Sequence, residues 1–201
     1  ADHGWAQALA KPDGNITGLA YAAKETSTKV AELVRRLVPS ARRVAVYSDG
    51  RPGAMKFAGH YERAARAAGL EPILLASKDN VALVASLAGL HAKAVQAAIW
   101  ATATGHPGKA ASAALEARIP LFGPDEYCTR VGMLASYEGY EPDPERRIAE
   151  LAARVLRGAR PGDIPFHLPQ RFRLAINRRT AGVLGIAVPQ DLLLRADQVF
   201  E

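Results

Sequence analysis

Apolar residues fall into two rhythms along this chain, and their alternation predicts its elements. Short runs rich in aliphatic, β-branched and aromatic side chains read as buried strands: residues 44–47 (Val-Ala-Val-Tyr), 72–77, 94–100 and 119–122. Between them the apolar positions recur every three or four residues, the helical period. Val30, Leu33, Val34 and Leu37 form one such face, with hydroxyls at Thr26, Ser27 and Thr28 to cap it and Pro39 to end it. A second helix spans 54–69 and closes on Gly69, a third spans 81–90 behind Asp79 or Asn80, and a fourth covers the alanine-rich stretch 109–118. A short helix is expected at 4–11, stopped by Pro12-Asp-Gly-Asn15.

The later half continues the pattern. Residues 132–137 read as a strand, and Asp143-Pro144-Glu145 is a helix start with a cap, Pro in the first turn and acid beside it. Ile148, Leu151, Ala152, Val155 and Leu156 then repeat at helical spacing until Gly158. A breaker-rich linker, an alternating strand at 172–176, a short helix at 179–184 and a last helix from Pro189 complete the chain. Strands alternating with helices define an α/β class with a largely parallel sheet.

In such sheets, ligands sit past the carboxyl ends of strands, near helix N-termini. Three loops occupy that place: Ser48-Asp49-Gly50-Arg-Pro-Gly53, Ala101-Thr102-Ala-Thr104-Gly-His-Pro-Gly108, and Gly123-Pro-Asp125-Glu-Tyr127. Each reads either as a ligand contact or as a plain connector. The first lacks a GxGxxG, and neither it nor Gly108-Lys109 makes a P-loop. No Gly-x-Ser-x-Gly elbow supports a nucleophile, and Asp125-Glu126 reads first as a helix cap. Hydroxyl-rich loops without a catalytic constellation suit binding rather than chemistry, so no enzyme activity and no cofactor is expected.

Composition narrows the class further. The 201 residues carry 26 Lys and Arg against 20 Asp and Glu, a net charge of +6, but the basic pairs are scattered and not interleaved with aromatics. No nucleic-acid partner is therefore expected. Cys128 is the single cysteine and the five histidines share no ligand spacing, so neither a disulfide nor a metal site is expected. No apolar run reaches the roughly 20 residues that a membrane span needs.

Six stretches stand out when the chain is read end to end: Leu9-Ala-Lys-Pro-Asp-Gly-Asn-Ile-Thr-Gly18, Leu37-Val-Pro-Ser-Ala-Arg-Arg-Val-Ala-Val46, Val155-Leu-Arg-Gly-Ala-Arg-Pro-Gly-Asp-Ile-Pro165, Leu174-Ala-Ile-Asn-Arg-Arg-Thr-Ala181, Leu184-Gly-Ile186 and Leu192-Leu-Leu-Arg-Ala-Asp-Gln-Val199. On these stretches the chain resembles the substrate-binding proteins of ABC importers, in the family whose studied members bind aromatic amino acids such as tryptophan and tyrosine. The first is close to that family's Leu-Ala-Arg-Pro-Gly-Gly-Asn-Ile-Thr-Gly, and the others follow in the family's order.

The resemblance implies a type I periplasmic-binding-like fold, here one lobe plus part of a second. Residues 1–38 would be a crossover and remnant of the first lobe, 39–130 the second lobe, and 131–201 the returning segments and tail. It implies ligand contacts at Ser48, Asp49, Gly50, Thr102, Thr104, Asp125, Ser136 and Tyr137. It also implies an ABC permease as partner and a periplasmic or lipid-anchored extracellular location.

Departures bear on the ligand. Ser48-Asp49 stands where the family has Asn-Pro, and Ala101-Thr-Ala-Thr104 stands for a Thr-Asp-Asn-type run. Glu138-Gly139-Tyr140 follows Ser136-Tyr137 where the family places Gly and then Asp. The expected ligand is thus a small polar molecule, by family default an amino acid. The alternative reading is a ligand-sensing regulatory domain of the same fold. With most of a first lobe absent, weak or absent affinity for small molecules is expected, and apolar surface on the tail helix (Ile148, Leu151, Val155) and the Phe172 strand predicts homo-oligomerisation or segment exchange.

Overall fold

The run 44–47 lies at the heart of the structure, with all four side chains fully buried. The computed structural model describes residues 8–102 and 105–201. The run forms β1 (Arg43–Ser48), which pairs in parallel with β2 (Glu71–Ala76) on one side and β3 (Ala97–Trp100) on the other. Next come β4 (Leu121–Gly123), β5 (Ala135–Tyr140), β6 (Arg171–Asn177) and β7 (Gln198–Phe200), in the order β2-β1-β3-β4-β5-β6-β7. The β3–β4, β4–β5 and β6–β7 pairings are also parallel. The mostly parallel α/β sheet expected from the alternation is the sheet observed.

Two compact units share these elements, one comprising Ala23–Glu138 with Arg173–Glu201 and the other Ala1–Ala22 with Gly139–Phe172. In the larger unit, alternation along the strands feeds two cores. Val44, Val46, Ile99, Phe122 and Ile176 face α1 (Ala23–Leu37) and α2 (Pro52–Ala67). Ala45, Tyr47, Trp100 and Leu121 face α3 (Asn80–Ala85), α4 (Pro107–Glu116) and α5 (Glu126–Arg130). Each large aliphatic side chain so buried contributes roughly 1.5–3 kcal/mol. The stripe Val30, Leu33, Val34 and Leu37 buries α1 on this unit, and the terminal stretch α7 (Arg178–Leu184), α8 (Gln190–Arg195) and β7 belongs to it too. The compact units therefore part at 22/23, 138/139 and 172/173, and the sequence divisions at 38/39 and 130/131 fall inside the larger one.

Local chemistry moved several boundaries. The helix α1 begins at Ala23, so Ser27 and Thr28 sit inside it and donate their hydroxyls back to the Lys24 carbonyl at 3.0 and 2.8 Å instead of capping. Asp79 does cap α3, accepting the N–H groups of Val81 and Ala82, but this helix passes after six residues into 3₁₀ turns at Ser86–Gly89 and His91–Lys93. Residues 8–11 are not helical, and the rest of the expected 4–11 helix lies outside the described residues.

In the smaller unit, the stretch 9–20 runs beside 162–167. Phe166 and His167 donate backbone N–H groups to the carbonyls of Leu9 and Gly18, both at 2.8 Å, and Ala20 donates to His167 at 2.9 Å. The Thr17 hydroxyl donates to the Ile164 carbonyl at 2.9 Å. Its helix α6 (Pro144–Leu156) is capped by Asp143, as Asp-Pro-Glu predicts, yet buries no residue.

Candidate functional site

The direction of winding reverses between β1 and β3, and this places the first two candidate loops side by side. Tyr47 is in register with Trp100, so the residues that follow each strand emerge together at the carboxyl edge. Asp49 is 4% exposed and Thr102 3%, and the Thr102 hydroxyl donates to the Asp49 carboxylate at 3.2 Å. Asp49 also accepts the Arg51 N–H at 3.0 Å, closing an Asx-type turn over Gly50. Gly50 holds φ at +74°, a conformation that suits glycine. Ser48 is fully buried at the end of β1, 3.4 Å from the Gly50 amide.

Beyond Thr102 the chain reaches α4, which begins at Pro107. Thr104 lies outside the described residues. Between this loop and the one after β4 is a cleft of about 450 Å³, lined by Trp100, Thr102, Lys109, Asp125 and Tyr127 among others. The Trp100 ring stacks on Tyr47 with centroids 5.5 Å apart, which holds the indole against the strand. Lys109 and the first N–H groups of α4 supply cationic and donor character, and Tyr127 adds an exposed aromatic ring. Asp125 caps α5 by accepting the Cys128 N–H at 2.9 Å. Burial pushes the Cys128 thiol well above its ordinary range, and the neighbouring Asp125 charge pushes it further.

The same corner gathers more charge. Glu138 on β5 accepts the Glu126 N–H at 3.1 Å, and Arg173 on β6 pairs closely with Glu126 and lies 3.9 Å from Glu138. Burial raises the Glu138 carboxyl above its usual range; the Glu126 amide and Arg173 oppose this, and Asp125 and Glu126 reinforce it.

The remaining candidates point elsewhere. Ser136 is fully buried and accepts the Thr129 hydroxyl at 2.7 Å; Asn177 in turn donates to the Thr129 carbonyl at 3.0 Å. Tyr137 alternates to the opposite face of β5 and packs against the α1–α2 core, where burial raises its phenol. The structure thus joins Asp49 to Thr102 and sets Thr102 and Asp125 around one cleft, while Ser136 and Tyr137 do not line it. Trp100, Lys109 and Tyr127 are cleft residues that the sequence reading did not single out. A bulky aromatic at the last position of a strand, beside a hydroxyl-rich loop, was the available signal for Trp100.

A sequence profile described as "ABC transporter substrate binding protein" matches residues 4–200. A search of curated proteins finds no significant match. Among solved structures, the ABC domain from Streptococcus pneumoniae, crystallised in complex with L-Trp, superposes with a TM-score of 0.83 at 24% identity, covering 99% of this chain and 68% of that one. A conserved domain protein from Vibrio cholerae gives 0.83 at 21%, covering 96% and 66%. A ligand-free, open substrate binding protein with adhesive properties from Clostridium difficile gives 0.71 at 17%, covering 98% and 66%. The chain spans about two-thirds of the length of these structures, and at such identities the likeness shows the fold.

Proposed function

The chain belongs to the ABC transporter substrate-binding protein family, and from that premise we propose that it binds a small polar ligand, an amino acid by preference, for an importer. Proteins of this family bind and do not catalyse, in keeping with loops that offer hydrogen bonds and no nucleophile. The observation that carries the reading is the joined pair Asp49–Thr102 at the winding reversal, opening on a cleft that Asp125 shares. A cationic rim at Lys109 and a carboxylate at Asp125 match the two ends of a zwitterion, and Trp100 and Tyr127 suit an apolar or aromatic side chain. The Streptococcus pneumoniae structure in complex with L-Trp supports that ligand class. A membrane permease is the proposed partner and the periplasm or outer cell surface the proposed location.

Lys109 and Tyr127 leave the rim open to solvent, so the expected affinity is weak, with Kd nearer about 1 mM than 1 μM. An amide NMR titration with L-tryptophan and the other standard amino acids tests this. Saturable shifts at Thr102, Lys109 and Asp125 are the expected result. Absence of shifts at these residues with every amino acid would overturn the reading, and a Kd of about 1 μM or tighter would overturn the expected weakness.

A further inference from the structure

The helix α5 has five residues, too few to hold itself, yet it supplies one wall of the cleft. Its first turn is fixed from outside by two carboxylates and one guanidinium. Asp125 takes the Cys128 amide, Glu138 takes the Glu126 amide, and Arg173 reaches over from β6 to both Glu126 and Glu138. The side chains of Arg173, Glu126 and Glu138 are 29%, 23% and 20% exposed, so solvent screens their charges only in part.

We propose that Arg173 is a positioning residue of the cleft: by clamping Glu126 and Glu138 it holds the first turn of α5, and with it the Asp125 carboxylate, against the ligand space. The role in ligand binding rests on the reading of the cleft given above. The clamp itself rests on the ion-pair geometry alone. Without the guanidinium, Asp125, Glu126 and Glu138 are three neighbouring carboxylates that repel one another, and the turn has one tie fewer. The groups facing Glu138 are Asp125 and Glu126 before and on α5, the Cys128 thiol on α5, and Arg173 on β6.

Cys128, the only thiol, is buried in the wall that Arg173 would hold, so its reactivity reports on the clamp without any ligand. The full chain is compared with R173Q and R173K under native conditions. R173Q is expected to speed modification of Cys128 about tenfold, and R173K to restore most of the native rate. Carboxyl NMR should show the Glu138 titration moving to higher pH in R173Q and returning in R173K, a change that loss of packing alone does not produce. The Arg36–Asp191 pair is exposed, and R36Q is expected to leave both readouts unchanged.

Equal thiol rates in the native chain and R173Q would overturn the proposal. So would an unmoved Glu138 titration, or a rate increase wholly explained by a lower global unfolding midpoint. If R173Q does not fold, E126Q removes the same close ion pair and should speed labelling in the same way; a native rate there overturns the proposal equally. A chain that binds no amino acid refutes the ligand reading and leaves the thiol and titration results to judge Arg173.

Discussion

Replacing Thr102 with Val removes one hydroxyl and almost nothing else, so it tests the contact that joins the first two loops. That hydroxyl donates to a carboxylate only 4% exposed, from a residue 3% exposed, at 3.2 Å. Hydrogen bonds to charged groups contribute roughly 1.5–3 kcal/mol. The length here is beyond the usual range for O–H···O bonds, which puts this one near the lower end, at about 1.5 kcal/mol. For a chain of 201 residues that corresponds to a fall in Tm of roughly 3–6 °C. Urea unfolding can be followed by Trp100 fluorescence in a W5F background, so that one indole reports. The cycle T102V, D49N and T102V/D49N separates the contact from the rest of each side chain. A coupling energy of about 1 kcal/mol is expected. Coupling below about 0.3 kcal/mol, the scatter of additive sites, would refute the claim that the two loops are energetically joined.

Gly123 ends β4 where a Cβ would overlap that of Cys128 and sit 3.1 Å from the Met133 sulfur, both buried, so G123A should destabilise by about 1–3 kcal/mol in urea. G14A, with nothing within 4 Å, serves as the neutral control. Burial pushes the Tyr47 phenol up to about 12 and that of Tyr61 further. Because the neutral phenol is favoured in the fold, their stabilisation is complete below about pH 10 and lost as pH rises past it. Tyrosinate absorbance should therefore show the Tyr47 and Tyr61 phenols ionising only with loss of circular dichroism; their ionisation without unfolding would contradict this. On α6, Ile148 is 54% and Leu156 87% exposed. Burying such side chains gains roughly 1.5–3 kcal/mol each, against an association cost of about 4–15 kcal/mol, so light scattering should detect weak, concentration-dependent self-association that L156E abolishes. A strict monomer at all concentrations would count against it.

The fold was legible because its signals are local. A run such as Val44–Ala–Val–Tyr47 excludes a polar face, and Asp143-Pro-Glu states a helix start within three residues. The strand β7 escaped notice because three residues at a sheet edge, two exposed and one half-buried, carry no periodicity. Thr26, Ser27 and Thr28 misled because a hydroxyl satisfies either a cap or a carbonyl one turn back, and composition alone does not distinguish the two. The site was legible only in part. Asp49 and Thr102 were named separately, but their contact depends on the β1–β3 register across 53 residues. Arg173 stands 47 residues from Glu126, and nothing in its own neighbourhood marks it as a partner for that carboxylate.

The helix α6 separates two inferences that usually travel together. Its apolar residues repeat as cleanly as those of α1, and both stretches are helices. In α1 the stripe is buried, with Val30 and Val34 fully covered, whereas α6 fully buries none of its residues and leaves Leu151 and Val155 half-buried. Among the described residues of the smaller unit, the hydrophobics counted in the core are Ala22 and Ile164. Periodicity therefore specifies which face of a helix is apolar, since that follows from 3.6 residues per turn, but burial depends on what the rest of the fold offers that face. The larger unit offers a seven-stranded sheet. In the smaller one, backbone hydrogen bonds tie 9–20 to 162–167, and such bonds order a chain without removing much apolar surface from water. The proposed binding residues Asp49, Thr102 and Asp125 all lie in the larger unit, at the ends of its strands, and the apolar stripe of α6 is where association is expected.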